Sequence, residues 1–216
     1  MRVECTDASE ISISANRSVM AASSEFSQGM FGSQFRENDQ AEIPLKEVPG
    51  EVLQELVQYC YSGRLTLTEI SIKMMLETAI FWRITSIVDE CCLHLKTTVT
   101  PSKCLFTNFL ARFYQLEELF IASDAVIVNG FHLVCRSEEF KKIGLGLVVD
   151  LLNRDDLPVI HEEAILSAVV RWLKYDRETR LQFLDQLLDV VRCGQLQLNV
   201  EYLGFEPRKW NALMLS

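Results

Sequence analysis

Asn16-Arg17-Ser18-Val19-Met20-Ala21-Ala22-Ser23-Ser24-Glu25-Phe26-Ser27-Gln28-Gly29-Met30-Phe31 is the stretch on which the fold turns. Its apolar residues cluster twice. Val19, Met20, Ala21 and Ala22 predict a short buried helical turn, and Phe26, Met30 and Phe31 a second short apolar face. The residues before it alternate with a period of two. Met1, Val3 and Cys5, then Ile11, Ile13 and Ala15, predict a small hairpin with Thr6-Asp7-Ala8-Ser9 as its turn. After it, a polar loop leads to Ile43-Pro44-Leu45, a third short strand. Proline has no N–H to give a ladder, so Pro44 keeps this strand on an edge or at a strand end.

Helical periods then take over. Pro49 suits the first position of a helix, and Val52, Leu53, Leu56, Val57, Cys60 and Tyr61 form its apolar stripe. Gly63 ends that helix by supplying a positive φ at low cost. Thr68 is the expected N-cap of the next, with Ile70, Met74, Met75, Ala79 and Trp82 buried. Ile84, Ile87, Val88, Cys91, Cys92 and Leu95 make the following stripe. Thr97-Thr98-Val99-Thr100-Pro101 breaks the series and marks a domain boundary. The second half reads as all helical. One face is Leu105, Phe106, Phe109, Leu110 and Phe113; further stripes start at Leu116, Leu147, Ala164 and Leu181, predicting stacked antiparallel pairs. From Gly204 to Ser216 no period is visible, and a loose tail is expected.

A chain of 216 residues, 49% hydrophobic and 24% charged, can bury a substantial core. Its net charge of −9 is diffuse, which argues against a duplex-binding surface. The seven cysteines have no disulfide-framework spacing and several fall on apolar stripes, which points to a reducing compartment. No signal peptide opens the chain and no apolar run is long enough to span a bilayer, so a soluble intracellular protein is expected.

No constellation carries catalytic spacing. The nine glycines are scattered, and none forms a phosphate loop after a strand. His94 beside Cys91 and Cys92 reads as an outward residue next to a buried stripe, since structural zinc wants four converging ligands. His132 near Cys135 gains little from proximity in sequence. His161-Glu162-Glu163 opens a helix, Asp155-Asp156 caps and solvates a turn before Pro158, and Lys141-Lys142 belongs to a solvated helix face. No cofactor and no metal are expected. The informative feature is Phe26, Met30, Phe31 and Phe35, large apolar side chains running into a polar loop. Phe35 either tucks beneath that loop or stands out as an anchor for a partner helix.

Taken together these motifs resemble a BTB (POZ) domain. The signature lies in residues 16–24 with Phe26 and Met30-Phe31, and Tyr59-Cys60-Tyr61-Ser62-Gly63 resembles the family's Tyr-Thr-Gly turn. The segments Ala79 to Trp82 and Cys91-Cys92 to Leu95 resemble its last two helices. Beyond Pro101 the chain is similar to a BACK domain, through Ser137-Glu138-Glu139-Phe140, Asp155-Asp156-Leu157 and Ala168-Val169-Val170-Arg171-Trp172-Leu173. BTB followed by BACK is the order of the Kelch-like adaptors of cullin-3 ubiquitin ligases. Asn16 stands where the family has histidine, and asparagine can still cap the helix. The family's exchanged N-terminal helix and its Kelch propeller are both missing from the sequence, so a monomer or weakened homodimer is expected.

The resemblance implies an α+β domain, a small sheet flanked by helices, over residues 1–96. It implies an all-α BACK domain over 97–203 and a tail over 204–216. It implies a non-catalytic adaptor or scaffold whose partners are cullin-3 and an unidentified substrate protein, with no nucleic acid and no membrane, in the cytoplasm or else the nucleus. Phe35-Arg36-Glu37 looks like the family's cullin contact, with Phe31 and Tyr61 beside it; the helices from Pro101 to about Asn129 would widen the interface. The alternatives are a self-associating, corepressor-docking BTB protein, and a competitor form that binds cullin without a substrate.

Overall fold

The computed structural model describes residues 2–5, 12–31, 42–45, 48–157 and 162–190. They fall into two compact units, Met1–Thr97 and Thr98–Ser216.

The first unit is α+β. Its sheet has the order β2-β1-β3, with β1 Arg2–Cys5, β2 Ser12–Ser14 and β3 Glu42–Leu45. β1 runs antiparallel to β2, with Val3 opposite Ile13, and parallel to β3, with Val3 opposite Ile43. The hairpin expected from the alternation is therefore present; its turn lies outside the described residues. Pro44 sits in an edge strand, where a missing N–H costs least.

Among the described residues the unit also has the helices α1 Arg17–Ser23, α2 Glu25–Met30, α3 Gly50–Ser62, α4 Ile72–Phe81 and α5 Thr85–Thr98. Asn16 caps α1, its side-chain oxygen accepting the Ser18 N–H at 2.9 Å. Ser24 divides α1 from α2 by taking an extended conformation. Its buried hydroxyl accepts the Ser27 N–H at 3.1 Å and donates to the Trp82 carbonyl at 2.7 Å, so one side chain caps α2 and ties it to the end of α4. Gly63 ends α3 at φ 65°. The core is Met20, Val52, Leu53, Leu56, Met75, Leu76, Ile84 and Ile87, each fully buried side chain of this size favouring the fold by roughly 1.5–3 kcal/mol.

Several expectations shift by a residue or a face. Pro49 is the N-cap of α3, one place before the first helical residue. Thr68 does accept a backbone N–H, that of Ser71, but it caps a turn ahead of α4. Because α4 starts only at Ile72, the helical phase excludes Ile70, which is 92% exposed, and buries Ile72 and Leu76 instead. Val88 and Cys92 are half-buried at the margins of the α5 stripe, and only Met20 of the α1 cluster is fully buried.

Among its described residues the second unit is all α: α6 Cys104–Phe113, α7 Glu117–Asn129, α8 Phe131–Val134, α9 Glu138–Lys142, α10 Leu145–Leu152, α11 Glu162–Tyr175, α12 Arg177–Arg180 and, after a 3-10 turn, α13 Leu184–Val190. Its core gathers Cys104, Ile127, Phe131, Phe140, Val148, Trp172 and Leu187. Trp172 donates its indole N–H to the Ile143 carbonyl at 2.8 Å. The Arg180 guanidinium lies 4.0 Å from the Trp172 ring and donates to the carbonyls of Lys141 and Trp172.

Helix α6 is turned relative to the sequence expectation. It buries Cys104, Thr107, Asn108, Leu110 and Ala111, while Phe106, Phe109 and Phe113 are exposed. The polar residues can go inside because each has a partner. Thr107 donates to the Lys103 carbonyl, Asn108 donates its amide to Ser123 Oγ at 3.2 Å, and Ser123 donates onward to the Phe120 carbonyl.

Candidate partner-binding faces

Of the five residues singled out in the first unit, Phe35, Arg36 and Glu37 lie outside the described residues. The other two converge on the start of α1. Tyr61, at the end of α3 and 55% exposed, accepts the Asn16 N–H on its hydroxyl at 2.6 Å. Phe31, just past α2 and half-buried, has the Arg17 guanidinium 6.0 Å from its ring centre. The adjacent residues Asn16 and Arg17 thus contact these two aromatic residues, one through its backbone N–H and the other through its side chain.

Sequence reading passed over Phe81. It is 65% exposed, one residue before the fully buried Trp82. Phe26 packs on both, 5.0 Å from the Phe81 ring and 5.6 Å from Trp82. The exposed Arg83–Glu25 pair at 3.5 Å borders this patch and adds little energy. The signal for Phe81 was its place on α4 opposite Leu76 and Ala79, legible only once the start of the helix is known.

The second unit carries a groove of about 470 Å³. Phe106 and Phe109 of α6, Phe120 and Ile127 of α7, and Ile143 and Leu147 line it. Arg112 covers Phe120, 5.0 Å from the ring centre. At its border Arg154 holds Asp124 with two hydrogen bonds and Asp156 with two more. These bonds keep the Arg154 guanidinium charged well beyond its ordinary range, and the bond from Arg154 draws the Asp156 carboxyl below the usual carboxylate value. Asp156 lies in a turn with its side chain more than half exposed, as expected, and also belongs to an ion-pair network that the sequence did not predict. Glu139 accepts the Phe106 N–H at 3.3 Å, yet burial outweighs that bond and raises its carboxyl above the normal value. Lys141 pairs with Glu138 on one face of α9, and that bond lowers the Glu138 carboxyl.

Apolar side chains line most of both surfaces. Burial pushes the thiols of Cys91, Cys104 and Cys135 each up to about 12, so they stay protonated and unreactive at neutral pH. His132 is exposed whereas Cys135 is buried. Among the described residues no three His, Cys, Asp or Glu side chains gather as metal ligands, and no helix is long and apolar enough to cross a membrane. His161 lies outside the described residues, as does the tail.

Comparison with known proteins agrees with these two units. Residues 3–99 match the BTB/POZ domain, and residues 104–202 match BACK, the "BTB And C-terminal Kelch" domain. The chain is similar to Kelch-like protein 3 of Homo sapiens and of Bos taurus, at 30% identity over 189 residues in each case. That alignment covers 88% of this chain and 32% of the relative, so the chain spans about a third of the length of the curated relatives it matches. A three-stranded α+β unit with the BTB signature, continued by a helical unit that matches BACK, means that the chain belongs to the proteins that join a BTB/POZ domain to a BACK domain.

Proposed function

We propose that this protein is a non-catalytic adaptor or scaffold subunit of a cullin-3 RING ubiquitin ligase, with ubiquitin transfer carried out by its partner subunits. In this reading residues 1–96 are the BTB part, residues 97–203 the BACK part, and 204–216 a tail. Phe35 fills an apolar pocket on cullin-3, Glu37 hydrogen-bonds beside it, and Arg36, Phe31 and Tyr61 border the contact. The BACK part adds the α6–α7 surface. A substrate protein is the other partner, and the cytoplasm is the place of work.

One observation carries the reading: α6 turns its aromatic face outward. A helix that buries Thr107 and Asn108 and exposes Phe106, Phe109 and Phe113 leaves its large apolar side chains available to another protein, which supports this reading. Exposed aromatic rings over a groove are the side chains that dominate interface energies. Similarity to Kelch-like protein 3 supports the choice of partner class. The test is titration calorimetry of the full chain against the purified cullin-3 N-terminal region. Binding at micromolar affinity or tighter, weakened by Phe109→Ala in a protein that remains folded, is the expected result. Absence of binding by a folded chain overturns the proposal.

A further inference from the structure

We propose that Thr100 is the acceptor site of a proline-directed protein kinase. Of the five prolines in the chain, only Pro101 follows a serine or threonine, and the sequence continues Thr100-Pro101-Ser102-Lys103. A kinase pocket that offers no acceptor to the residue after the hydroxyl takes proline readily. Any other residue there would bury an unpaired N–H. Lysine three places after the acceptor adds a positive charge that an acidic kinase surface can read.

The fold presents these residues outward. Thr100, Ser102 and Lys103 are all exposed in the connection between α5 and α6. The Thr100 hydroxyl meets only another exposed hydroxyl in the contacts described for it, Ser102 Oγ at 2.9 Å, so modifying it strands no buried group. The connection is a turn with proline at its second position, closed by the Lys103 N–H donating to the Thr100 carbonyl at 2.9 Å. To extend the segment a kinase must release this bond and the Cys104 Sγ contact to the Pro101 carbonyl at 3.5 Å, with Pro101 resting toward Gly130, while Thr107 holds the Lys103 carbonyl at the start of α6.

In the reaction Thr100 Oγ1 attacks the γ-phosphorus of ATP. The new O–P bond replaces the bond to the leaving ADP, and the hydroxyl proton passes to the kinase's base. The product carries about 1.5 to 2 negative charges just ahead of α6. The first turn of α6 has no acidic residue, and a helix N-terminus tolerates negative charge. The fold is expected to survive the modification.

The experiment incubates the full chain with ATP and a purified proline-directed serine/threonine kinase that prefers lysine at this position. Sites are mapped by tandem mass spectrometry. The expected result is one phosphate, on Thr100, absent from Thr100→Ala. Pro101→Ala should slow incorporation about tenfold, the effect of one buried unpaired N–H. Lys103→Ala, on an exposed side chain, gives the same test should Pro101→Ala not fold, and is expected to slow the reaction several-fold. Phosphate on Ser102 or elsewhere, or rates indifferent to both substitutions, overturns the proposal. So does an unmodified full chain when a peptide of residues 94–108 is phosphorylated, because the turn would then shield the threonine.

Discussion

Arg154 grips Asp124 through two parallel hydrogen bonds, Nη1 to Oδ1 at 2.5 Å and Nη2 to Oδ2 at 2.7 Å, with both side chains only about one-fifth exposed. This bond joins the second residue past α10 to the middle of α7. A charge in this half-buried place loses more hydration than a surface ion would, so removing its partner is costly. We expect Arg154→Ala and Asp124→Ala each to destabilise the protein by about 1–3 kcal/mol, between the surface and buried limits for ion pairs. Asp156→Ala should cost less, because Asp156 is the more exposed partner. Its lowered carboxyl contributes stability above the ordinary aspartate value, lost as pH falls through the lowered one. Urea unfolding at neutral pH ranks the three variants, and equal losses would contradict the geometry.

The orientation of α6 makes a sharper prediction. Leu110 is 2% exposed and Phe109 is 53% exposed, though they are neighbours in sequence. Leu110→Ala should cost about 2–5 kcal/mol, the range for emptying a buried leucine site. Phe109→Ala should change stability by less than about 1 kcal/mol. Thermal or urea denaturation of the two variants decides between this orientation and one in which the aromatic residues form the core.

Glu139 sets a pH dependence. Burial raises its folded value, and the Phe106 N–H only partly opposes that. The folded protein therefore keeps this proton to higher pH than the unfolded chain does. The carboxyl's contribution is fully present below the unfolded value of about 4.3 and is lost as pH rises through the raised one. Glu139→Gln keeps an oxygen for the Phe106 N–H and cannot titrate. The gap in Tm, variant minus wild type, should open from near zero at about pH 4 by the order of a degree at neutral pH, after allowance for solvent screening. A gap that closes or reverses over that range would mean that the hydrogen bond outweighs burial.

The sequence was most legible where spacing and chemistry agree. The alternation of Val3, Cys5, Ile11 and Ile13 announced the hairpin, Gly63 announced the end of α3, and Asn16 announced the cap of α1. Periodicity failed where polar residues inside the fold are fully paired. Thr107, Asn108 and Ser123 look like surface residues, so the aromatic rings of α6 were assigned to the core by default. It failed again at Ile70, because Thr68 and Ser71 both look like caps and only tertiary packing decides which one starts the helix. Ion pairs across 30 residues, such as Arg154 with Asp124, leave no local pattern at all. At Phe35 the aromatic run leaves two readings, tucked or anchoring, since nothing in local periodicity separates them; the cullin contact at residues 35–37 comes from family resemblance and lies outside the described residues.

That contact is open to direct measurement. If Phe35 fills a pocket on cullin-3, Phe35→Ala should weaken binding by about 2 kcal/mol or more, as loss of a central aromatic anchor does. Glu37→Ala should cost less, because a hydrogen bond at the edge of a contact is partly replaced by water. Phe109→Ala should cost about 1 kcal/mol as a member of the second surface. When Phe35 and Phe109 each occupy their own place on cullin-3, the losses in the double variant add to within about 0.5 kcal/mol. Titration calorimetry with the cullin-3 N-terminal region supplies all four numbers, and circular dichroism establishes that each variant is folded. Unchanged affinity for folded Phe35→Ala would assign that ring to the protein's own packing. Cullin binding would then have to rest on the α6 face, and Phe109→Ala would carry the larger loss.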